Sequence, residues 1–223
     1  DIRVSGNLLT SLPKTTKLND EPDPKLLPEL RAQALQNIAK YQILPVKAHT
    51  KKGLCEGVWH DKLSGCCLTE NHKILDTFGY RIPLTGEAEP SYKAYLYPEE
   101  CVYLMDRAML EMTRLGLPVS LQEGFNLLEQ EGISKETYQA YSHLRRLGYI
   151  LFRATEVGYF DLYMKNSKFS KSNRGTPLFK LKALPQSDTV DFSLLKVGDI
   201  PVLLALVSGG SIEWLQFNSW LYK

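Results

Sequence analysis

Between Lys165 and Lys182 the chain concentrates positive charge: Lys165, Lys168, Lys171, Arg174, Lys180 and Lys182 fall in a stretch with no acidic residue between Asp161 and Asp188. Side chains of this kind neutralise phosphates, and Phe169 and Phe179, interleaved with them, permit base stacking. The same composition equally suits a solvated loop with two anchoring rings. The four histidines stand at positions 49, 60, 72 and 143, none of them downstream of the basic stretch. Acid–base chemistry there would therefore rest on Asp or Lys alone, with no partner at a recognisable spacing. His60 and His72 lie near a hairpin without a second ligand pair at metal spacing and read as surface histidines. Cys55, Cys66, Cys67 and Cys101 form no CxxC, and a vicinal pair suits neither a disulfide nor zinc, so buried reduced thiols in an intracellular protein are expected. Neither a metal nor a cofactor is expected.

The elements that position these groups fall into two differently built halves. A chain of 223 residues with 43% hydrophobic content can bury real cores. No run of 18 apolar residues occurs and the first residues lack an apolar signal core, so a soluble protein without a membrane span is expected. A net charge of +2 is too small to argue for nucleic acid by itself; the distribution must carry that. Residues 1–24, rich in Ser, Thr, Pro, Asn and Asp, read as an extended arm. Residues 25–137 read as an α+β domain: a helix from Leu27 to about Tyr41, strands at Leu54–Trp59 and Gly65–Thr69, and a helix opened by Pro98. Val102, Met105, Met109 and Met112 would line one face of that helix, which Gly116 and Pro118 would end. Ser120 with Glu123 forms a capping box, and Ser134 caps a third helix. Three short helices followed by a strand make this region winged-helix-like, a shape used for DNA, RNA or protein contact.

The stretch Tyr138–Arg153 joins the halves. Tyr138, Tyr141, Leu144 and Leu147 share a helical face, Gly148 stands where a left-handed residue closes a helix, and a strand follows at once. Residues 138–223 form the second domain, with strands at Tyr159–Met164 and Pro201–Val207, a turn at Gly209-Gly210 and a returning strand from Ile212 to Phe217. Ile212, Trp214, Leu215, Phe217 and Trp220 are a large apolar load for a terminal edge strand. Such an edge invites a protein partner.

The segments YPEECVYLMDRAMLEM, LPVSLQEGFNLL and TYQAYSHLRRLGYILFR, with the ending GDIPVLLALVSGGSIEWLQF, closely resemble the structural, non-catalytic subunit 54 family of the eukaryotic tRNA-splicing endonuclease. The resemblance runs from about Leu54 onward and is loose over residues 1–50. It implies an α/β carboxy-terminal domain of the tRNA-intron-endonuclease (nuclease) type, whose catalytic members use Tyr, His and Lys to leave a 2′,3′-cyclic phosphate and a 5′-hydroxyl. Tyr163, in FDLY, stands at the position resembling the family tyrosine. Where the histidine is expected the chain reads Gly175-Thr176-Pro177-Leu178-Phe179, and where the lysine is expected it reads Gly198-Asp199-Ile200-Pro201. Tyr163 is then a residual triad position, and no catalytic residue is assigned. The resemblance further implies a direct pair with the catalytic subunit that cuts the 5′ splice site, assembly with a second catalytic and structural pair into a heterotetramer, and contact with precursor tRNA. Residues 165–182 are the RNA candidate and 201–217 the partner candidate. A nuclear location is implied, with the cytosolic face of the mitochondrial outer membrane as the alternative. The family carries a long insertion between the strands at Arg153 and Tyr159 where this chain has only Ala154–Gly158, so a longer natural protein is expected. The competing reading is a winged-helix nucleic-acid-binding factor with a carboxy-terminal dimerisation domain.

Overall fold

The computed structural model describes residues 24–40, 54–70, 73–84, 92–164, 169–186 and 199–218. The predicted arm up to residue 23, His49, His72, Lys165, Lys168, Trp220 and the Gly/Pro/Glu-rich loop at 85–90 lie outside the described residues. Among the described residues the architecture is mixed α+β, with four α-helices and two mixed sheets.

The first sheet takes its strands from the amino-terminal half. β1 (Cys55–His60) buries alternate residues, as a half-buried strand should, and returns through a 3-10 turn at Asp61–Leu63 into β2 (Gly65–Leu68). β3 (Tyr80–Pro83) and β4 (Tyr92–Leu96) add on one side; β5 (Leu110–Arg114) and β6 (Leu117–Pro118) add on the other, giving the order β3-β4-β2-β1-β5-β6. β5 runs parallel to β1, with Cys55 opposite Leu110 and Gly57 opposite Met112.

That parallel pair corrects the expected Met-lined helix. The helix opened by Pro98, α2, spans only Pro98–Asp106. Beyond it Leu110, Glu111 and Met112 alternate buried, exposed, buried, a period of two rather than 3.6. Val102 and Met112 are both core residues, but on different elements. Leu115-Gly116 is the turn of the β5–β6 hairpin, not a helix end. The region is therefore not three helices followed by a strand, because a hairpin separates α2 from α3.

α1 (Leu27–Lys40) buries Leu30, Ala34 and Ile38 at four-residue spacing. α3 (Leu121–Gln130) starts at Ser120, whose hydroxyl accepts from the Glu123 N–H at 3.2 Å. The reciprocal half of the expected box is replaced by a loose pairing of the Glu123 carboxylate with Arg114, 3.8 Å away. α4 (Lys135–Arg146) buries Tyr138, Tyr141 and Leu144 as their spacing requires. It ends in a Schellman motif: the Gly148 N–H donates to Arg145 O at 3.1 Å and the Tyr149 N–H to Leu144 O at 3.2 Å, with Gly148 at φ +94°.

The second sheet has the order β11-β10-β9-β8-β7. β7 (Ile150–Arg153) and β8 (Phe160–Tyr163) form a hairpin whose neck is closed by the Ala154 N–H to Tyr159 O at 3.0 Å, with Val157 at its tip 96% exposed. β9 (Phe179–Pro185) pairs antiparallel with β8 and parallel with β10 (Val202–Ser208). β10 is almost entirely buried, as its unbroken apolar run requires, and turns at Gly209-Gly210 into β11 (Ser211–Phe217).

One core cluster runs from Leu30 on α1 through α2 and α4 to Val207 on β10. α1 is tied to the second sheet by polar contacts as well, since the Arg31 Nε–H donates to Leu178 O at 2.8 Å and the Tyr149 hydroxyl to Ala34 O at 3.4 Å. All four cysteines are free and buried, matching the expected thiols. No described helix is long and apolar enough to cross a membrane.

Candidate functional site

Register sorts the candidate residues by face. Phe152, Asp161, Lys180, Val202 and Phe217 are successive cross-strand partners and share the outward face of the second sheet, on which Tyr163 and Lys182 also lie. Leu151, Leu162, Leu181 and Leu203 share the opposite face, which packs into the main core.

Tyr163 sits on that outward face among rings and charges. It packs with Ile150, Phe152 and Phe169. Its charged neighbours are Asp161 and Arg174, and the Arg174 guanidinium lies 4.1 Å from the centre of the Phe152 ring. Burial raises the Tyr163 hydroxyl above the ordinary tyrosine range; Asp161 reinforces the shift and Arg174 opposes it. Burial likewise raises Asp161, against the pull of Lys180, and its Oδ1 has no hydrogen-bond partner among the described residues. A phenol shifted upward is a poor proton acceptor near neutral pH.

The basic candidates do not form one loop. Phe179 already belongs to β9, is 0% exposed and lies in the core, so it is not available for base stacking. Phe169 stacks on Phe152 with the ring planes 7° apart. Lys180 and Lys182 project from β9: the first is ion-paired with Glu156, and the second lies over the Tyr159 ring at 4.9 Å. Lys171 and Arg174 precede the strand; Lys171 turns back towards the first sheet, and Arg174 lies over the Phe152 ring of β7. The Lys171 ammonium donates to Phe78 O and, at 2.8 Å, to Gly79 O, and Arg174 Nε–H donates to Lys171 O at 3.0 Å. Burial lowers Lys171 to about 8, with Glu100 opposing and Arg81 and Arg174 adding to the effect.

Behind Lys171 lies a polar seam that the sequence did not reveal. Glu99 and Glu100, in the first turn of α2, are 1% and 2% exposed. Glu99 takes a bidentate ion pair from Arg153, at 2.8 Å from Nε and 2.7 Å from Nη2. Both Glu100 oxygens accept the Gly79 N–H at 2.9 Å, and Oε2 also accepts the Tyr97 N–H. Gly79 has φ +70°, and a Cβ there would press on Tyr95 O, so glycine is required where the seam crosses the backbone. Burial and then the charge of Glu99 raise Glu100 to about 7, against the hydrogen bonds from Gly79 and Tyr97. Arg145, off the apolar stripe of α4, is nonetheless buried, with its guanidinium 3.7 Å over the Phe78 ring. The available signal was a pair of acids on α2 with no cation one turn later.

β11 is an edge strand whose apolar residues divide between faces. Ile212 and Trp214 lean into the main core, with Trp214 5.7 Å from the His143 ring. Leu215 and Phe217 point outward; Phe217 packs on Tyr159 and Val202, whereas Leu215 is 41% exposed. Among the described residues no group of three His, Cys, Asp or Glu side chains could hold a metal ion.

Two comparisons with known proteins bear on this arrangement. Residues 43–114 match the family model described as tRNA-splicing endonuclease subunit sen54 N-term, a stretch that includes β1 through β5. The likeness is to the class of tRNA-splicing endonuclease subunits. The chain is 41% identical over 59 residues to the tRNA-splicing endonuclease subunit Sen54 of Mus musculus, covering 26% of this chain and 11% of that protein. It is 28% identical over 149 residues to the probable subunit sen54 of Schizosaccharomyces pombe, covering 66% of this chain and 37% of that protein. The chain is similar to Sen54 subunits over these stretches, and it spans only 11% and 37% of the length of the two relatives.

Proposed function

We propose that the chain acts as a non-catalytic, structural subunit of a heterotetrameric tRNA-splicing endonuclease, holding the catalytic subunit that cuts the 5′ splice site and positioning precursor tRNA for intron excision. The observation that carries the reading is the surroundings of Tyr163. Its polar neighbours are Asp161 and Arg174, its apolar ones the Phe152 and Phe169 rings, and the chain has no histidine beyond position 143. A tyrosine held in this way lacks the acid–base partner that transesterification at a 2′-hydroxyl needs, so the complex's 2′,3′-cyclic phosphate and 5′-hydroxyl ends would come from other subunits. The finer architecture belongs to the same proposal: a tRNA-intron-endonuclease-like domain built on the second sheet.

The outer face and edge of β11, with Leu215 and Phe217, are the partner surface in this reading, and Lys171, Arg174, Lys180 and Lys182 supply the described part of the RNA surface. The site of action is nuclear, with the mitochondrial surface the alternative that fractionation of the tagged protein decides. Reconstitution tests the core claim. Complexes carrying Tyr163→Phe should cut precursor tRNA at the wild-type rate, and the isolated chain should not cut. Cleavage by the chain alone, abolished by Tyr163→Phe, would refute the non-catalytic assignment. A winged-helix DNA-binding factor predicts instead a stand-alone duplex binder with no stoichiometric nuclease partner on purification.

A further inference from the structure

Between β3 and residues 169–174 lies a cleft of about 500 Å³, lined by Leu75, Asp76, Gly79, Tyr80, Arg81 and the segment from Phe169 to Arg174. It lies where the first sheet faces the chain leading into β9. Three cations, Arg81, Lys171 and Arg174, border it, against one carboxylate, the exposed Asp76; Glu100 is buried beneath. Two of the three Lys171 donors are spent on Phe78 O and Gly79 O, which fixes the ammonium at the cleft wall and leaves one N–H. Arg174 is braced by Lys171 O and the Phe152 ring. Arg81 has neither an ion pair nor a hydrogen bond among the described residues.

Like charges held this close repel one another, and among the described residues bordering the cleft only the exposed Asp76 and the buried Glu100 offset them. Tyr80 and Phe169 form apolar walls, which weaken screening and strengthen any bond to an anion. We infer that this cleft is a phosphate site for an RNA backbone, with Arg81 and Arg174 as the two arms and Lys171 as the fixed donor at its wall. The inference rests on the RNA-handling reading above and adds a location to it. That location is assembled from β3 and the pre-β9 segment together, not from the basic stretch alone.

The test uses the full-length subunit assembled with its nuclease partners, with labelled precursor tRNA as the probe, titrated at several salt concentrations. Arg81→Ala and Arg174→Ala should each weaken binding severalfold, and the pair about tenfold or more, with the log–log salt slope falling by roughly 1 for each cation removed. Lys62→Ala, on the β1–β2 turn, should leave both unchanged. Arg174→Lys should recover most of the affinity, because it restores charge without the guanidinium's contact to Lys171 O. Assembled double-variant complexes that bind within twofold of wild type at an unchanged slope would overturn the inference and leave the proposed function standing. Exclusion of the Arg81→Ala subunit from the complex, while Lys62→Ala enters it, would also overturn the inference, by making the cleft a protein contact. A wild-type complex that forms but does not retain precursor tRNA would overturn the functional reading itself.

Discussion

Arg153→Met should be strongly destabilising although the position is half-exposed. The Arg153 side chain is 39% exposed, yet its partner Glu99 is 1% exposed, so the pair is asymmetric: the cation reaches water and the carboxylate does not. Removing one partner of a buried pair typically costs about 3–5 kcal/mol, because the remaining charge is left without compensation. The guanidinium also lies 4.2 Å from the centre of the Tyr97 ring, a contact worth about 0.5–1 kcal/mol at an exposed site. Solvent access to Arg153 argues for the lower end, so a total of about 3 kcal/mol is expected. Glu99→Gln should cost less than Arg153→Met, since the amide can be buried neutral. The double variant should therefore be more stable than the sum of the two losses predicts. Urea unfolding at constant m-value reads all three. A loss below about 1 kcal/mol for Arg153→Met, or strict additivity in the cycle, would refute the claim that a buried carboxylate joins α2 to β7.

Two buried titrating groups make opposite contributions to the pH profile. His143 is lowered to about 4 by burial, then by Arg146, so below its unfolded value of 6.5 the unfolded chain binds the extra proton and stability falls as pH drops from 6.5 towards 4. Glu100 is raised to about 7 from 4.5, so here the folded chain holds the extra proton and stability falls as pH rises through that interval. Between about pH 4.5 and 6.5 the two partly cancel. Glu100→Gln should make stability rise more steeply with pH there and His143→Asn should make it fall; thermal melts at half-unit steps check both signs. At the edge strand, Leu215→Asp should weaken capture of the nuclease partner at an unchanged melting temperature, whereas Trp214→Asp should lower the melting temperature of the chain itself. If Leu215→Asp complexes persist at low concentration, the edge is not the partner surface.

Local signals were legible where they are closed within a few residues. The end of α4 at Gly148, the Ser120 and Ser134 caps and the β10–β11 turn each depend on neighbours a turn away, and each stands where the residue types require. The α2–β5 boundary was not legible, because Met105, Met109 and Met112 satisfy a helical spacing while Leu110 and Met112 also satisfy a strand spacing. The parallel pairing with β1, some 55 residues earlier, decided between them. The split of β11 into Trp214 inward and Leu215 outward follows from strict alternation and could have been read. The Glu99–Arg153 pair and the cleft beside Arg81 could not, since both exist only once segments far apart in the chain have been brought together.

The closed neck of the β7–β8 hairpin has a consequence for how this fold tolerates change. Because Ala154 and Tyr159 are bonded across the base, the strands below need nothing from Val157, which stands clear of the protein, although its neighbour Glu156 reaches Lys180 on β9. Loop-closure entropy grows only logarithmically, at roughly 0.6 kcal/mol for each doubling of length. This point on the chain can therefore admit a graft, from a peptide tag to a whole foreign module, and pass almost none of its weight to the sheet that carries Tyr163.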